Sequence, residues 1–181
     1  MLALTMNAHP EPTGAIKDAA EAERPVASVL AEHPFLHGLS LEQLKVFVGV
    51  AMRVHYQAGE VIFSEGDPAN RFYLIEAGTV ALESHHRGES PVPVQIIGPG
   101  DVLGWSWLYA PYYWNFDARA IEPTTAIFFY GTPLREHCEQ DPVFGYELLK
   151  RMGAVMIRRL QATRKKLLEA SQCSGSGCCK G

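Results

Sequence analysis

The sequence of 181 residues is poor in cysteine and has no long apolar run. Cys138 stands alone, and the other three cysteines crowd the Gly/Ser-rich end at 173–181, so disulfides are not expected to hold the fold together. No stretch approaches the roughly 18 apolar residues of a membrane span, and the N-terminus lacks a secretory signal pattern. These absences predict a cytoplasmic protein without membrane association.

Catalytic motifs are absent as well. The sequence contains neither a Walker phosphate loop nor a Gly-x-Ser-x-Gly elbow, so we expect no enzymatic activity and no resident cofactor. One enzyme alternative stays open, a cupin-like metal enzyme that uses His55, His85 and His86. Because adjacent strand residues point to opposite faces, solvated histidines are the favoured interpretation. The tail 173–181 offers three thiols for a soft metal or a dimer disulfide, but structural zinc usually needs four ligands, and a flexible tail is favoured.

Charge is unevenly distributed along the chain. Residues 1–142 carry 8 basic and 18 acidic side chains, whereas residues 143–181 carry 8 basic and 2 acidic ones. A basic helix could contact nucleic acid or an acidic partner, but such a charge run is more often the solvated face of an amphipathic helix. This interpretation covers Arg158, Arg159, Arg164, Lys165 and Lys166.

The first part of the chain is predicted to hold a leader and two helices. Residues 1–24 are rich in Ala, Glu and Pro and predict a flexible leader. Residues 25–51 predict two short helices, the second capped by Ser40, with Gln43 completing a capping box.

The middle of the chain has the pattern of strands. Between residues 52 and 131, short β-branched and aromatic runs alternate with turn signals. About seven such strands without intervening helices predict an antiparallel sandwich or barrel. Alternation within the third run predicts that Phe72 and Leu74 point into the barrel together.

Helical periodicity returns over residues 132–172. From residue 142 onward, apolar positions spaced by three and four form a near-heptad seam. Thirty helical residues make a rod about 45 Å long, more than a small barrel needs as cover. We therefore expect a homodimer, the alternative being a helix that folds back on its own barrel. The predicted dimer contacts are Leu149, Met152, Met156, Leu160, Thr163 and Leu167.

Two motifs give the chain a resemblance to a known family. The segment GEVIFSEGDPANRFYLIEAGTVAL at 59–82 and the string GPGDVLG at 98–104 resemble the cyclic nucleotide-binding domain family, which includes the catabolite activator protein. The resemblance covers residues 34–170 and implies a mainly β fold with flanking helices: a jelly-roll barrel, or double-stranded β-helix, followed by a long helix. Transcription factors of the family carry a helix-turn-helix domain after that helix. Nine residues follow Gln172, so we expect a stand-alone module that does not read DNA directly.

The resemblance breaks at the ligand site. In the family, a Glu accepts from the ribose hydroxyl and an Arg holds the cyclic phosphate. Here Trp105 stands where the Glu would be, and Trp114-Asn115 fall where the Arg is expected. Losing two charge-assisted contacts, each worth about 1.5 to 3 kcal/mol, predicts weak or absent binding of cyclic AMP.

Aromatic residues take over the altered segment. Seven of the twelve residues at 105–116 are aromatic, and they either form a cage for a planar or apolar ligand or fill the emptied pocket, with filling slightly favoured. We predict a regulatory small-ligand sensor, with a ligand-free scaffold that docks a protein partner as the alternative. Arg119 is a less well placed partner for an anion. The candidate ligand-binding residues are Gly104, Trp105, Ser106, Trp107, Asn115, Phe116 and Arg119.

Overall fold

The computed structural model describes residues 24–84 and 91–175. The predicted leader and most of the predicted tail lie outside these residues. Two short helices, eight strands and two further helices follow one another along the chain. They are α1 (Val26–Glu32), α2 (Leu41–Val48), β1 (Ala51–Tyr56), β2 (Val61–Phe63), β3 (Arg71–Ala77), β4 (Val80–Ser84), β5 (Val92–Ile97), β6 (Val102–Leu103), β7 (Asp117–Ala120), β8 (Thr124–Tyr130), α3 (Gly131–Gln140) and α4 (Pro142–Gly175).

The start of α2 has the cap that the sequence predicts. The Ser40 hydroxyl accepts a hydrogen bond from the Gln43 backbone N–H at 3.2 Å, and the Gln43 side chain accepts from the Ser40 N–H at 3.0 Å. Two otherwise unpaired N–H groups are thereby satisfied, which fixes where this helix begins.

The eight strands form two antiparallel sheets of four strands each. One sheet has the order β1-β8-β3-β6 and the other β2-β7-β4-β5. Strands distant in sequence are therefore neighbours, as in a jelly roll, and the predicted fold class is confirmed. Strand β6 has only two residues, paired with Tyr73 and Leu74 of β3, and its brevity explains why a pattern search counts seven strands.

The core differs from simple alternation along β3. Phe72, Tyr73, Leu74 and Ile75 are all buried, because one face of β3 packs against the second sheet and the other packs against the N-terminal segment that contains Phe35. The Phe72 ring stacks on Phe129 with ring centroids 4.6 Å apart. The expectation that Phe72 and Leu74 point into the barrel is wrong: Tyr73 contacts Phe63 of the second sheet, whereas Phe72 contacts Phe35 and Trp107 on the opposite face of β3.

Gly78 closes the tight turn between β3 and β4. Its φ is +87°, and a Cβ at this position would lie 2.5 Å from the Pro123 carbonyl oxygen. Positive φ and this close approach both require glycine, which explains the residue at this point of the motif.

Helix α4 begins against the barrel and then extends beyond it. Phe144, Leu148, Met152 and Val155 are buried on its inner face. Arg151 fastens the helix to the N-terminal segment by donating to the Phe35 carbonyl oxygen at 2.6 Å. The helix continues to Gly175, three residues beyond its predicted end.

The outer face of α4 carries an apolar stripe that no other part of the described chain covers. Its large side chains are exposed by 45% to 70%. They are Tyr146, Leu149, Ile157, Leu160, Leu167 and Leu168.

Across the described helices, none combines the length and the apolar character needed to span a membrane.

Candidate functional site

A cavity of about 380 Å³ separates the second sheet from the middle of α4. Its walls come from β4 and β5, from the segment between β6 and β7, and from one face of α4. A volume in this range suits a small organic ligand. The lining residues are Leu82, Ser84, Val94, Gln95, Trp105, Asn115, Phe116, Met156, Arg159, Leu160 and Thr163.

Three of the seven predicted ligand-binding residues line this cavity. They are Trp105, Asn115 and Phe116. The Asn115 amide donates to the Ser106 hydroxyl at 3.0 Å, so Ser106 supports the cavity wall without forming part of it. The segment thus contributes two aromatic faces and one amide to the cavity.

Trp107 is a core residue, and its predicted place in the ligand site is wrong. Its side chain is fully buried, and its ring stacks on Phe72 with centroids 5.2 Å apart and planes 13° apart. Its indole N–H has no hydrogen-bond partner among the described residues. The 3₁₀ helix Ser106–Leu108 packs this side chain against Phe72 while Trp105 stays at the cavity.

Gly104 likewise lies outside the cavity and makes room for Trp114. The φ of Gly104 is +83°, and a Cβ there would lie 2.8 Å from the Trp114 ring. Trp114 in turn stacks on Phe63, with centroids 3.9 Å apart. The residue that stands near the expected phosphate arginine is therefore packed into the barrel.

The turn between β2 and β3 holds this aromatic segment in place through the backbone. Trp114 N–H donates to the Asp67 carbonyl oxygen at 2.9 Å, and Gly66 N–H donates to the Trp114 carbonyl oxygen at 2.9 Å. The aromatic residues of the segment consequently divide: Trp107 and Trp114 fill the interior, whereas Trp105 and Phe116 face the cavity. Each of the two sequence interpretations describes part of the segment.

Arg119 does not reach the cavity, which corrects its prediction as an anion partner. Its Nε lies 3.1 Å from a carboxylate oxygen of Glu83, and its Nη1 donates to the Gly59 carbonyl oxygen at 2.9 Å. Arg119 pairs with Ala81 across the sheet, whereas the cavity residue Leu82 pairs with Ala118. Because successive strand residues alternate between faces, Arg119 and Leu82 lie on opposite faces of the sheet.

The predicted dimer seam is divided between two faces of α4. Met152 is fully buried in the core of its own chain, so its prediction as a dimer contact is wrong. Met156, Leu160 and Thr163 line the cavity, although Leu160 is also 70% exposed; Leu167 lies outside the cavity and is 65% exposed. Leu149, the remaining seam residue, is also on the exposed stripe.

Arg159 is the charged cavity residue that sequence reasoning missed. Its guanidinium donates from Nη2 to the Val102 carbonyl oxygen, and burial lowers the pKa of Arg159 to about 10. Its interpretation as part of a solvated face is therefore wrong. One signal was available, since Arg159 lies three residues after Met156 and four before Thr163 on the same helix.

The histidines of the alternative metal site are only partly described. His55 lies 3.2 Å from the Thr125 hydroxyl on the first sheet, while His85 and His86 lie outside the described residues. Within 24–84 and 91–175, no group of three His, Cys, Asp or Glu side chains is placed to hold a metal ion. The cupin-like alternative stays a prediction.

Comparison with known proteins agrees with the geometry. The cyclic nucleotide-binding domain family matches residues 53–141. These residues belong to that family. Curated proteins of known name are matched over only part of their length. The chain is 32% identical over 133 residues to the nitrogen fixation regulation protein FixK of Bradyrhizobium diazoefficiens, an alignment that covers 72% of this chain and 52% of FixK.

A second relative is similar over a comparable length. The cyclic AMP receptor protein of Thermus thermophilus is 27% identical over 128 residues, which cover 71% of this chain and 57% of the receptor. The chain thus spans about half the length of these two relatives.

A solved structure supports the domain assignment. A protein of Geobacter metallireducens GS-15, assigned to the cyclic nucleotide-binding proteins, superposes with a TM-score of 0.68 at 29% identity. The superposition covers 76% of this chain and 99% of that chain. The superposed part of this chain therefore spans nearly all of that solved chain.

Proposed function

We propose that this chain is a non-catalytic regulatory module that senses a small ligand in the cavity beside α4. The proposal includes weak or absent binding of cyclic AMP and cyclic GMP. The observation that supports it is an open cavity whose described lining contains no carboxylate, whereas the family resemblance leads us to expect a Glu for the ribose and an Arg for the phosphate. Trp105 replaces the carboxylate, Trp114 is buried in the barrel, and Arg119 is paired with Glu83 on the other face of the sheet.

The position of the cavity suggests how occupancy would be transmitted. Met156, Arg159 and Thr163 of α4 share the cavity with Trp105 and Phe116 of the altered segment. A ligand between them would bridge the barrel and the helix, so the equilibrium position of α4 would depend on occupancy. The module would act through a protein partner or a second copy, without reading DNA itself.

Isothermal titration with cyclic AMP and cyclic GMP tests the nucleotide part of the proposal. We expect dissociation constants weaker than micromolar, by roughly a hundredfold or more if two contacts of about 1.5 kcal/mol are missing. Arg119→Gln serves as the control, because its side chain contacts Glu83 and should leave any titration unchanged. Micromolar binding that Arg119→Gln abolishes would refute both the weakened pocket and the placement of Arg119.

We also propose a homodimer through the exposed stripe of α4. The stripe continues over several turns of helix, and its side chains would bury apolar area against a second copy. Light scattering should report a dimer for the unmodified chain and a monomer for Leu160→Glu. Ala162→Glu is the matched control, since Ala162 is exposed on the opposite side of the helix. A monomeric unmodified chain would refute this proposal.

A ligand-free scaffold is the second candidate, favoured by a different feature. Tyr112 and Tyr113 are exposed, and a cavity of about 410 Å³ lies beside Tyr112 and Arg135. The Arg135 guanidinium lies 4.6 Å from the centre of the Tyr112 ring. If the chain acts as a scaffold, Tyr112→Ala should weaken capture of its protein partner, while small molecules leave the tryptophan fluorescence unchanged.

A further inference from the structure

Arg159 is a partly buried cation that forms no ion pair within the described residues. Its Nη2 donates to the Val102 carbonyl oxygen, and its Nη1 is buried without a hydrogen-bond partner among the described residues. The carboxylate of Asp101 raises the pKa of Arg159, but it acts at a distance and accepts the Gly98 N–H at 3.0 Å. Burying a charge without pairing it destabilises the fold, so this arrangement needs a compensating interaction.

Arg159 remains charged under physiological conditions. Burial lowers the pKa of this guanidinium to about 10, which is still well above neutral pH. The side chain therefore presents a permanent positive charge beside the cavity.

The remainder of the cavity has a different chemistry. Its described walls are mostly apolar or aromatic, and Arg159 is the one charged residue among those that line it. Leu82, Val94 and Met156 supply aliphatic surface, while Trp105 and Phe116 supply rings. Four polar side chains complete the walls, and the cavity is partly open to solvent. Its apolar surface lowers the local dielectric and strengthens charge pairing with a bound ligand.

We propose that this cavity takes a small carboxylate with an aromatic or similarly apolar body, and that Arg159 pairs with the carboxylate group. The inference rests on the proposed sensor function, because it names the ligand class of the same cavity. Because Nη2 is bonded to the Val102 carbonyl oxygen and Nη1 has no exposed surface, the guanidinium would turn toward the cavity to pair with a single carboxylate. The apolar walls suit a body without the hydroxyl groups of a ribose.

The test uses the full chain and matched pairs of probes. The acids are 3-phenylpropionate and 1-naphthylacetate, and each is compared with its own primary amide by isothermal titration and by tryptophan fluorescence. Acid and amide have nearly the same body and differ in charge. We expect each acid to bind at least about tenfold more tightly than its amide.

Substitution at Arg159 identifies the cation. Arg159→Gln should weaken acid binding by about 10- to 150-fold, which corresponds to the ~1.5 to 3 kcal/mol of a charged hydrogen bond, and should leave amide binding unchanged. Arg159→Lys keeps the charge and should retain the preference for the acid. Arg158→Gln is the control, because Arg158 is exposed on the same helix and its loss should change neither affinity.

The outcomes separate this inference from the proposed function. Equal affinity of acid and amide, or unchanged acid binding in Arg159→Gln, would overturn the role of Arg159 while leaving a ligand-binding cavity. Absence of acid binding at millimolar concentration would overturn the ligand class. Micromolar cyclic AMP binding would instead refute the proposed weak nucleotide site, and its loss in Arg159→Gln would still support Arg159 as the anion partner. The comparison of acid with amide in the unmodified chain remains decisive if a variant fails to fold.

Discussion

Replacing Trp114 by alanine tests whether the altered segment is part of the core. The Trp114 side chain is 4% exposed, and its ring stacks on Phe63 with centroids 3.9 Å apart and planes 13° apart. Truncating a buried tryptophan removes this contact and leaves a cavity, which typically costs 3 to 5 kcal/mol. We expect Trp114→Ala to lower the free energy of unfolding by about 3 to 5 kcal/mol.

Urea unfolding followed by circular dichroism measures this loss, and thermal unfolding gives a second reading. At about 2 to 4 °C per kcal/mol for a chain of this size, Tm should fall by roughly 6 to 20 °C. Tyr113→Ala is the neighbouring control, because the Tyr113 side chain is 51% exposed and its removal should change stability by no more than about 0.5 kcal/mol. Equally small losses for both variants would refute the packing argument.

A second substitution at Gly104 makes the test sharper. In the unmodified chain, Gly104→Ala meets both a φ of +83° and a contact of 2.8 Å with the Trp114 ring. Without that ring, only the backbone strain of about 1 to 2 kcal/mol should remain. The double variant should therefore be more stable than the sum of the single costs predicts, by on the order of 1 kcal/mol. Additive costs would show that Trp114 does not lie over Gly104.

Three further predictions concern other parts of the chain. Burial lowers the pKa of His33 in the folded state, so the unfolded chain binds more protons and stability should fall as pH drops below about 6.5. In urea unfolding at several pH values, His33→Gln should make the free energy of unfolding depend less on pH. An unchanged pH dependence would contradict this prediction. Arg119→Gln breaks a partly exposed pair with Glu83 and should cost at most about 1 kcal/mol in urea unfolding; a larger cost would show a buried structural role. Met152→Glu places an unpaired charge in the core and should lower the free energy of unfolding by about 3 to 5 kcal/mol in the same assay. Leu160→Glu should leave the free energy of unfolding of the monomer nearly unchanged. Similar losses for both variants would contradict the division of α4 into two faces.

The local sequence determined much of this protein. Ser40 and Gln43 define the start of α2 because both partners of the capping box lie within one turn of helix. Gly78 marks a turn because no other residue fits both its φ and its contact with Pro123. The spacing of such glycines, with short apolar runs between them, was sufficient to predict the jelly roll and its family.

The tertiary structure decided which side chains form the site. A helical period places Met152, Met156 and Leu160 on one seam, yet the first is buried in the core, whereas the other two line the cavity and Leu160 is also 70% exposed. Periodicity records the spacing of apolar residues along one element. It does not record which neighbouring element each of them contacts.

The same reason explains the two arginines whose roles were misassigned. Arg119 appeared near the expected anion site in sequence, but alternation along β7 turns it toward Glu83. Arg159 appeared solvated within a basic run, but it packs between the barrel and α4, where its guanidinium reaches Val102, 57 positions away in the chain. Burial and charge pairing depend on surfaces brought together from distant parts of the chain, so only the folded arrangement assigns them.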